Sequence, residues 1–414
     1  MLKLSIKRLI KLFFKIKCMR KLKIGYLLSY FHPFKDGTEN NCLYLATQMV
    51  KLGHEVHVFT SDRRDGKIIK EKYENYNGIH IHRSPTWARY QYYLELNPGI
   101  IPLVLKHKDL DVLHIHSFGF MMYDMILMLK KLLGHRTVVI DTPHGPFMSL
   151  DSYPMWQKAM KNVFTKIEKP INNLYDGVIQ VNTTQYPWIM KSGVKRRNIH
   201  FVPDGIPEDR FREIDNKDFI KKHGLEGKFV ICNLGRVLEY KGQDKVIQAL
   251  PEIVKKHPNV VFLQMGKDHG WTEHCLELAK KLDVENHVKF LGMVDEDDKL
   301  RGLDVADIFV LPSEWEAFGI VTLEAMARRT AAVASDCEGS LFLVRPENGI
   351  LHPWEDVDAL RDALLKLIED DDLRNTMAET NYKKAVRLTN ENIAKEYLEP
   401  LYYKLWSRKQ PITV

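Results

Sequence analysis

A chain of 414 residues exceeds what one ordinary hydrophobic core organises, and it points to two domains. With 45% hydrophobic and 28% charged residues, the composition is that of a globular protein and excludes a fibrous or disordered one. The net charge of +7 is concentrated in residues 1–23, which hold nine basic residues and no acid, so it marks a tail and argues against a nucleic-acid-binding face.

No apolar run reaches the roughly 18 residues that a membrane span needs. Five cysteines (Cys18, Cys42, Cys232, Cys275 and Cys337) are scattered, with no Cys-x-x-Cys pair. That pattern predicts a reducing, cytoplasmic compartment and argues against zinc or disulfides.

In chain order, residues 2–17 alternate Lys or Arg with Leu, Ile and Phe, and Ile6, Leu9, Ile10, Phe13 and Phe14 share one helical face. Such a segment suits an anionic membrane interface, so residues 1–18 read as a peripheral anchor on the cytoplasmic face of a membrane. Lys11 breaks the apolar stretch that a signal peptide requires. The alternative is that translation starts at Met19 and the extension has no role.

Residues 23–28 predict a first strand. A loop with Pro33, Asp36 and Gly37 leads to a helix capped by Thr38 and ended by Gly53, and residues 53–61 give a second strand. This is half of a Rossmann-like unit, without the G-x-G-x-x-G of nicotinamide dinucleotide sites. Further strands are expected at 79–83, 111–116, 137–141, 177–181 and 199–202. His80/His82 and His114/His116 are i,i+2 pairs on strand faces, but no third ligand is nearby in sequence and no metal is expected. In TVVIDTPHGPF, His144 and Gly145 follow a strand, at the sheet edge where open α/β sheets bind ligands. An imidazole there can bond a hydroxyl or titrate near neutrality; the bland reading is a loop histidine with no role.

Pro and Gly in residues 203–210 mark the linker. The second domain opens with a strand ending at Gly235, followed by Arg236 and Lys241, which are either diphosphate contacts or solvated cations. Strands are expected at 259–266, 287–294 and 331–336, the last as the final core strand, with a helix at 296–305 capped by its acidic run. Residues 355–409 read as helical.

IFVLPSEWEAFGIVTLEAMA, residues 308–327, reads strand, loop, helix. The first N–H groups of this helix, near Phe318, Gly319 and Ile320, lack intrahelical partners and face the positive end of its dipole, which suits a phosphate. Glu316 in the loop and Glu324 in the helix suggest hydroxyl acceptors beside it, hence a ligand with both phosphate and sugar. An amphipathic helix with solvated glutamates is the alternative.

This stretch resembles the E-x7-E signature of the retaining, GT-B-fold glycosyltransferases of family four (glycosyl transferases group 1). The resemblance spans roughly residues 21–400 and includes the family's T-x-H-G element at His144 and its G-R-x-x-x-x-K-G element at Arg236 and Lys241. It implies an α/β protein of GT-B architecture, two Rossmann-like parallel-sheet domains facing a cleft. The expected layout is tail 1–18, acceptor domain 19–207, nucleotide-sugar domain 208–392, and a helix at 393–414 crossing back to the first domain. It implies metal-independent hexosyl transfer, without a cofactor, from a UDP- or GDP-sugar to a glycan or lipid-linked acceptor. His144, Arg236, Lys241 and Glu316 are the implied catalytic residues. Gly37, His116, Phe318, Gly319, Ile320 and Glu324 are the implied substrate contacts.

Two departures stand out: Asp36 replaces a glycine of the first loop, and Arg329–Thr330 replace a Gly-Pro. A sugar-nucleotide epimerase on the same fold and a non-catalytic membrane-tethered scaffold are the other readings. A glycoside hydrolase fits poorly, because two helical carboxylates eight residues apart stand about 12 Å from each other, beyond the roughly 5–9.5 Å that such enzymes use.

Overall fold

The computed structural model describes residues 20–34, 37–64, 66–90, 94–117, 121–144 and 154–410. The expectations placed on the tail of residues 1–18, on Asp36 and on Gly145 lie outside the described residues. By internal packing the chain divides into two compact units. Among the described residues, those of 20–142, 174–177 and 401–410 form one, and those of 143–173 and 178–400 the other.

In the first unit the strands are β1 (Lys23–Leu27), β2 (Glu55–Ser61), the short hairpin β3 (Arg63–Arg64) and β4 (Lys67–Ile68), β5 (Tyr73–Tyr76), β6 (Ile79–Ser84), a second hairpin β7 (Ala88–Tyr90) and β8 (Leu94–Leu96), β9 (Val112–Ile115) and β10 (Val138–Asp141). Six of them form sheet in the order β10-β9-β1-β2-β6-β5. All pairings are parallel except that of β5 with β6. Ile24, Val56, Val58, Ile79, Ile81, Val112, Leu113, Val138 and Val139 are fully buried. Burial on both faces explains why these strands read as continuous apolar runs.

Residues 401–410 complete this unit. The Tyr402 hydroxyl donates to that of Tyr26 at 3.2 Å and lies 2.7 Å from His114 Nδ1. Trp406 Nε1 donates to Asp111 at 3.0 Å, and Lys409 Nζ to Asp176 at 2.6 Å.

The second unit holds β11 (Gly177–Gln180) from Val178 onward, paired in parallel with β12 (Ile199–Phe201). Its main sheet is built from β13 (Phe229–Leu234), β14 (Val260–Met265), β15 (Val288–Phe290), β16 (Ile308–Leu311), β17 (Ala331–Ser335) and β18 (Gly349–His352). Their order is β15-β14-β13-β16-β17-β18, all parallel. Val246, Ile247, Leu250 and Ile253 of helix Gln243–Lys256 and Leu360, Leu364 and Leu367 of helix Val357–Glu369 share one buried cluster with Ile231, Phe262 and Val333.

Several local expectations need correction. Residues 331–336 are not the final core strand, because β18 follows at the sheet edge. Strand 287–294 shortens to three residues, β15. Thr38 does not cap the first helix, which begins at Gly37 and takes Thr38 into its first turn. Apart from these corrections, residues 178–207 pack with the second unit, and local bonds within that unit show how. Asn182 Nδ2 donates to the Ala317 carbonyl, and Thr184 Oγ1 donates to that of Glu338 at 3.1 Å. The acidic run does start a helix: Asp295 accepts from the Asp298 N–H at 2.7 Å and caps helix Glu296–Asp304.

Arg329 occupies the position where the resemblance expects glycine, and its φ is +54°, a left-handed conformation that favours glycine. Its guanidinium covers the Tyr382 ring, 3.6 Å from the centroid, and bonds Glu379 at 2.8 Å. Those contacts offset the backbone cost and give the departure a physical account.

Candidate active site

β13 and β16 are neighbours in one parallel sheet, with Ile231 opposite Ile308 and Cys232 opposite Phe309. Their following loops therefore leave from the same carboxyl edge. After β13 the chain passes Arg236 and makes a short turn at Glu239–Lys241. Gly242 closes that turn with φ +70°, and a Cβ there would stand 2.1 Å from the Pro312 carbonyl oxygen. Only glycine fits, and the fit presses the Lys241 turn against the end of β16. The Glu314 N–H adds a bond to the Tyr240 carbonyl at 2.8 Å. Gln243 Nε2 fixes the other side of the loop, donating to the Arg236 carbonyl at 3.0 Å and to Asn233 Oδ1 at 3.3 Å.

This packing brings Lys241 and Glu316 together. Lys241 Nζ donates to Glu316 Oε1 at 2.5 Å, and Ser313 Oγ donates to the same oxygen at 2.8 Å. Each partner of the ion pair has 14% of its side chain exposed. Burial alone would lower the Lys241 ammonium, but the facing Glu316 carboxylate holds its pKa above the ordinary value. Tyr240 lies between the two cations: its hydroxyl accepts from Arg236 at 3.2 Å, and its ring centroid is 5.1 Å from Lys241 Nζ. Arg236 itself is exposed.

Three residues beyond Glu316, Gly319 takes φ +85° and starts helix Ile320–Ala327. The carbonyl of Gly319 already accepts from Thr322 and Leu323, at 2.9 and 3.2 Å. The N–H groups ahead of Thr322 precede the intrahelical ladder and lie at the positively polarised end of the helix. Phe318 is buried and packs on Phe342 with ring centroids 5.6 Å apart.

Glu324 lies in a different setting. Its Oε1 accepts from Arg210 Nε at 2.9 Å and from Lys299 Nζ at 2.8 Å. Glu296 joins both cations, 2.6 Å from Arg210 and 2.9 Å from Lys299. Glu324 and Arg210 are buried. Burial would lower the Lys299 ammonium, but Glu324 first and Glu296 second raise it above its ordinary value. Sequence reasoning missed Arg210, Lys299 and Glu296 as a group, and it missed Ser313 and Tyr240. A buried carboxylate demands a cation, but nothing local in the sequence says which one supplies it.

Gly37 and His116 belong to the first unit. Gly37 is exposed at the start of its helix, and a Cβ there would meet nothing within 4 Å. His116 is buried, and its ring stacks on His114 at 4.4 Å between centroids. His144 opens the second unit. Burial pushes its imidazole down to about 4, which favours the hydrogen-bonding one of the two roles the sequence left open for it. At neutral pH it is an uncharged hydrogen-bonding group.

The profile of the Glycosyltransferase Family 4 domain matches residues 35–210, and that of Glycosyl transferases group 1 matches residues 215–384. The chain is 28% identical over 359 residues to the phosphatidyl-myo-inositol mannosyltransferase of Mycolicibacterium smegmatis, covering 85% of this chain and 86% of that protein. It is 25% identical over 397 residues to the N-acetyl-alpha-D-glucosaminyl L-malate synthase of Bacillus anthracis, covering 92% and 97%. Among solved structures, sucrose-phosphate synthase from Thermosynechococcus elongatus superposes with a TM-score of 0.76 at 20% identity, over 94% of this chain and 100% of that one. Anabaena HepE in complex with UDP and glucose gives 0.74 at 19% identity, over 92% and 100%. These structures share the GT-B fold with this chain, whose two parallel-sheet units, E-x7-E helix and profile matches along both halves make it a member of the group 1 glycosyltransferases.

Proposed function

We propose that this transferase moves a hexose-type sugar from a UDP- or GDP-sugar to a glycan or lipid-linked acceptor, with retention of configuration and without a metal. The observation that carries the reading is the Lys241–Glu316 pair beside the open start of helix Ile320–Ala327. Cations and helix N–H groups suit the diphosphate, and carboxylates suit hydroxyls.

Arg236, Lys241 and the N–H groups near Phe318, Gly319 and Ile320 stabilise negative charge as the diphosphate departs. Glu316, already oriented by Lys241 and Ser313, accepts bonds from the sugar, and Glu324 accepts from the ribose. His144, uncharged, bonds a sugar hydroxyl. The acceptor hydroxyl attacks from the face the diphosphate leaves, and the departing phosphate takes its proton, so no second catalytic carboxylate is needed. Gly37 and His116 are assigned to the diphosphate approach and the acceptor pocket.

The mannosyltransferase named above acts on a phosphatidyl-inositol, and HepE was solved with UDP; both support this class of donor and acceptor. A thermal-shift panel of UDP- and GDP-sugars tests the reading, because a bound donor raises the melting temperature by mass action. One donor is expected to stabilise the protein and to release its nucleotide faster when acceptor is added. Stabilisation by none, or nucleotide release indifferent to every acceptor class, would sink the proposal. NMR of the product's anomeric configuration tests retention.

A further inference from the structure

Helix Met155–Asn172 exposes its apolar side. Met155 (86% exposed), Trp156 (61%), Val163 (57%) and Ile167 (60%) face solvent, while Glu168 and Asn172 are buried. Ala159 and Pro170 are exposed as well, so residues 155, 159, 163, 167 and 170 recur at i, i+4, i+8, i+12 and i+15 and make one stripe. Helix Gln243–Lys256 shows the ordinary arrangement, burying Val246, Ile247, Leu250 and Ile253.

The flanks of the stripe identify its occupant. Lys166 and Lys169 are exposed and Lys158 is half-buried; with the one acid, Glu168, turned inward, the charges at the surface of this helix are positive among the described residues. A purely apolar partner has no use for those cations. An amphipathic helix with low overall hydrophobicity, apolar residues on one side and lysines beside them is built for a membrane interface, and an indole such as Trp156 at one end suits the headgroup level. We propose that the outer face of helix Met155–Asn172 docks on an anionic lipid surface. The contact is distinct from the basic tail and rests on the helix alone, so it stands even if the donor reading fails.

The test is flotation of the full-length chain with vesicles of phosphatidylglycerol and phosphatidylcholine, against phosphatidylcholine alone. The tail's Lys3, Lys7, Arg8, Lys11, Lys15 and Lys17 are changed to Gln, so that it no longer dominates. That background protein is expected to float with the anionic vesicles, less in high salt, and not with neutral ones. Adding Val163→Glu and Ile167→Glu should weaken partitioning tenfold or more. Lys166→Gln with Lys169→Gln should weaken it several-fold, and this pair decides the matter if the glutamate variant melts lower. No flotation of the background protein, equal binding to neutral vesicles, or undiminished binding by both variants would overturn the proposal. So would a dimer that Val163→Glu and Ile167→Glu dissociate without affecting lipid binding, because a second copy would then cover the face.

Discussion

Glu316 and Glu324 stand eight positions apart in sequence, but different cations hold them. Glu316 takes Lys241 and Ser313 on one oxygen. Glu324 takes Arg210 and Lys299 inside a buried cluster. Removing one partner of a buried pair leaves an uncompensated charge, at a cost of about 3–5 kcal/mol. Arg210→Met is therefore expected to lower the unfolding free energy by that order in denaturant titrations and to raise the KM for donor; unchanged stability would show that Lys299 alone suffices. Arg236 is exposed, and the site reading gives it a different prediction. Arg236→Ala should cut turnover by about a hundredfold while leaving the melting temperature unchanged, whereas Lys241→Ala should lower both. Near wild-type turnover in both variants would remove them from the mechanism. At Arg329 the backbone favours glycine and the side chain favours arginine. Arg329→Ala keeps the left-handed strain and loses the Tyr382 contact, so it should destabilise by about 1 kcal/mol or more. Arg329→Gly relieves the strain and should lie closer to wild type in the same denaturation assay.

At the scale of elements, β2 and β6 carry a cluster that the sequence showed only as an i,i+2 pair. His57 Nδ1 is 3.0 Å from His82 Nε2, and the His107 ring sits 4.9 Å from that of His82. His80 joins from the other side, with Tyr73 on its Nδ1 at 2.8 Å and Glu55 on His57 at 2.9 Å. Burial first, and the neighbouring imidazoles and Lys106 second, push His82 down to about 3 and His107 to about 4. His57 is lowered by burial against the pull of Glu55. An unfolded histidine takes its proton near pH 6.5. Between that pH and the folded values, the unfolded chain binds more protons, so stability is full above about 6.5 and falls as the pH drops toward 4. Guanidinium titrations at pH 7.5 and 5 should differ by on the order of 2 kcal/mol or more, and His82→Phe should shrink the difference. A flat profile would show that these rings titrate normally.

Strand runs such as VVFLQM and IFVL were legible because parallel strands are buried on both faces. The strand–loop–helix around Glu316 was legible from its spacing. β18 was not: four residues, GILH, carry no period. The Arg210–Glu324 bond joins residues 114 apart in sequence, and no local pattern encodes such a pairing.

At the scale of the whole molecule, the proposed mechanism asks nothing of a metal, since cations and a helix terminus carry the charge. Activity is expected to persist in EDTA; loss on chelation, restored by manganese, would refute this. No helix among the described residues is long and apolar enough to cross a membrane. Peripheral attachment at a cytoplasmic membrane face is the proposal that lipid flotation addresses, with the tail and helix Met155–Asn172 as separable contributors.

The return of residues 401–410 to the first unit has a consequence for biosynthesis. Asp111 already accepts from the Lys23 N–H at 2.8 Å when Trp406 arrives to share it, and His114 waits in the core for Tyr402. A ribosome adds roughly 5–20 residues per second. Residues 143–400 must therefore emerge, over roughly tens of seconds, before Tyr402, Trp406 and Lys409 can reach Tyr26, Asp111 and Asp176. Throughout that interval the nascent first unit carries an open seam, a natural landing place for chaperones and a vulnerable one for proteases. The emergence of residues 401–410, and not the synthesis of its own strands, is the event that seals it.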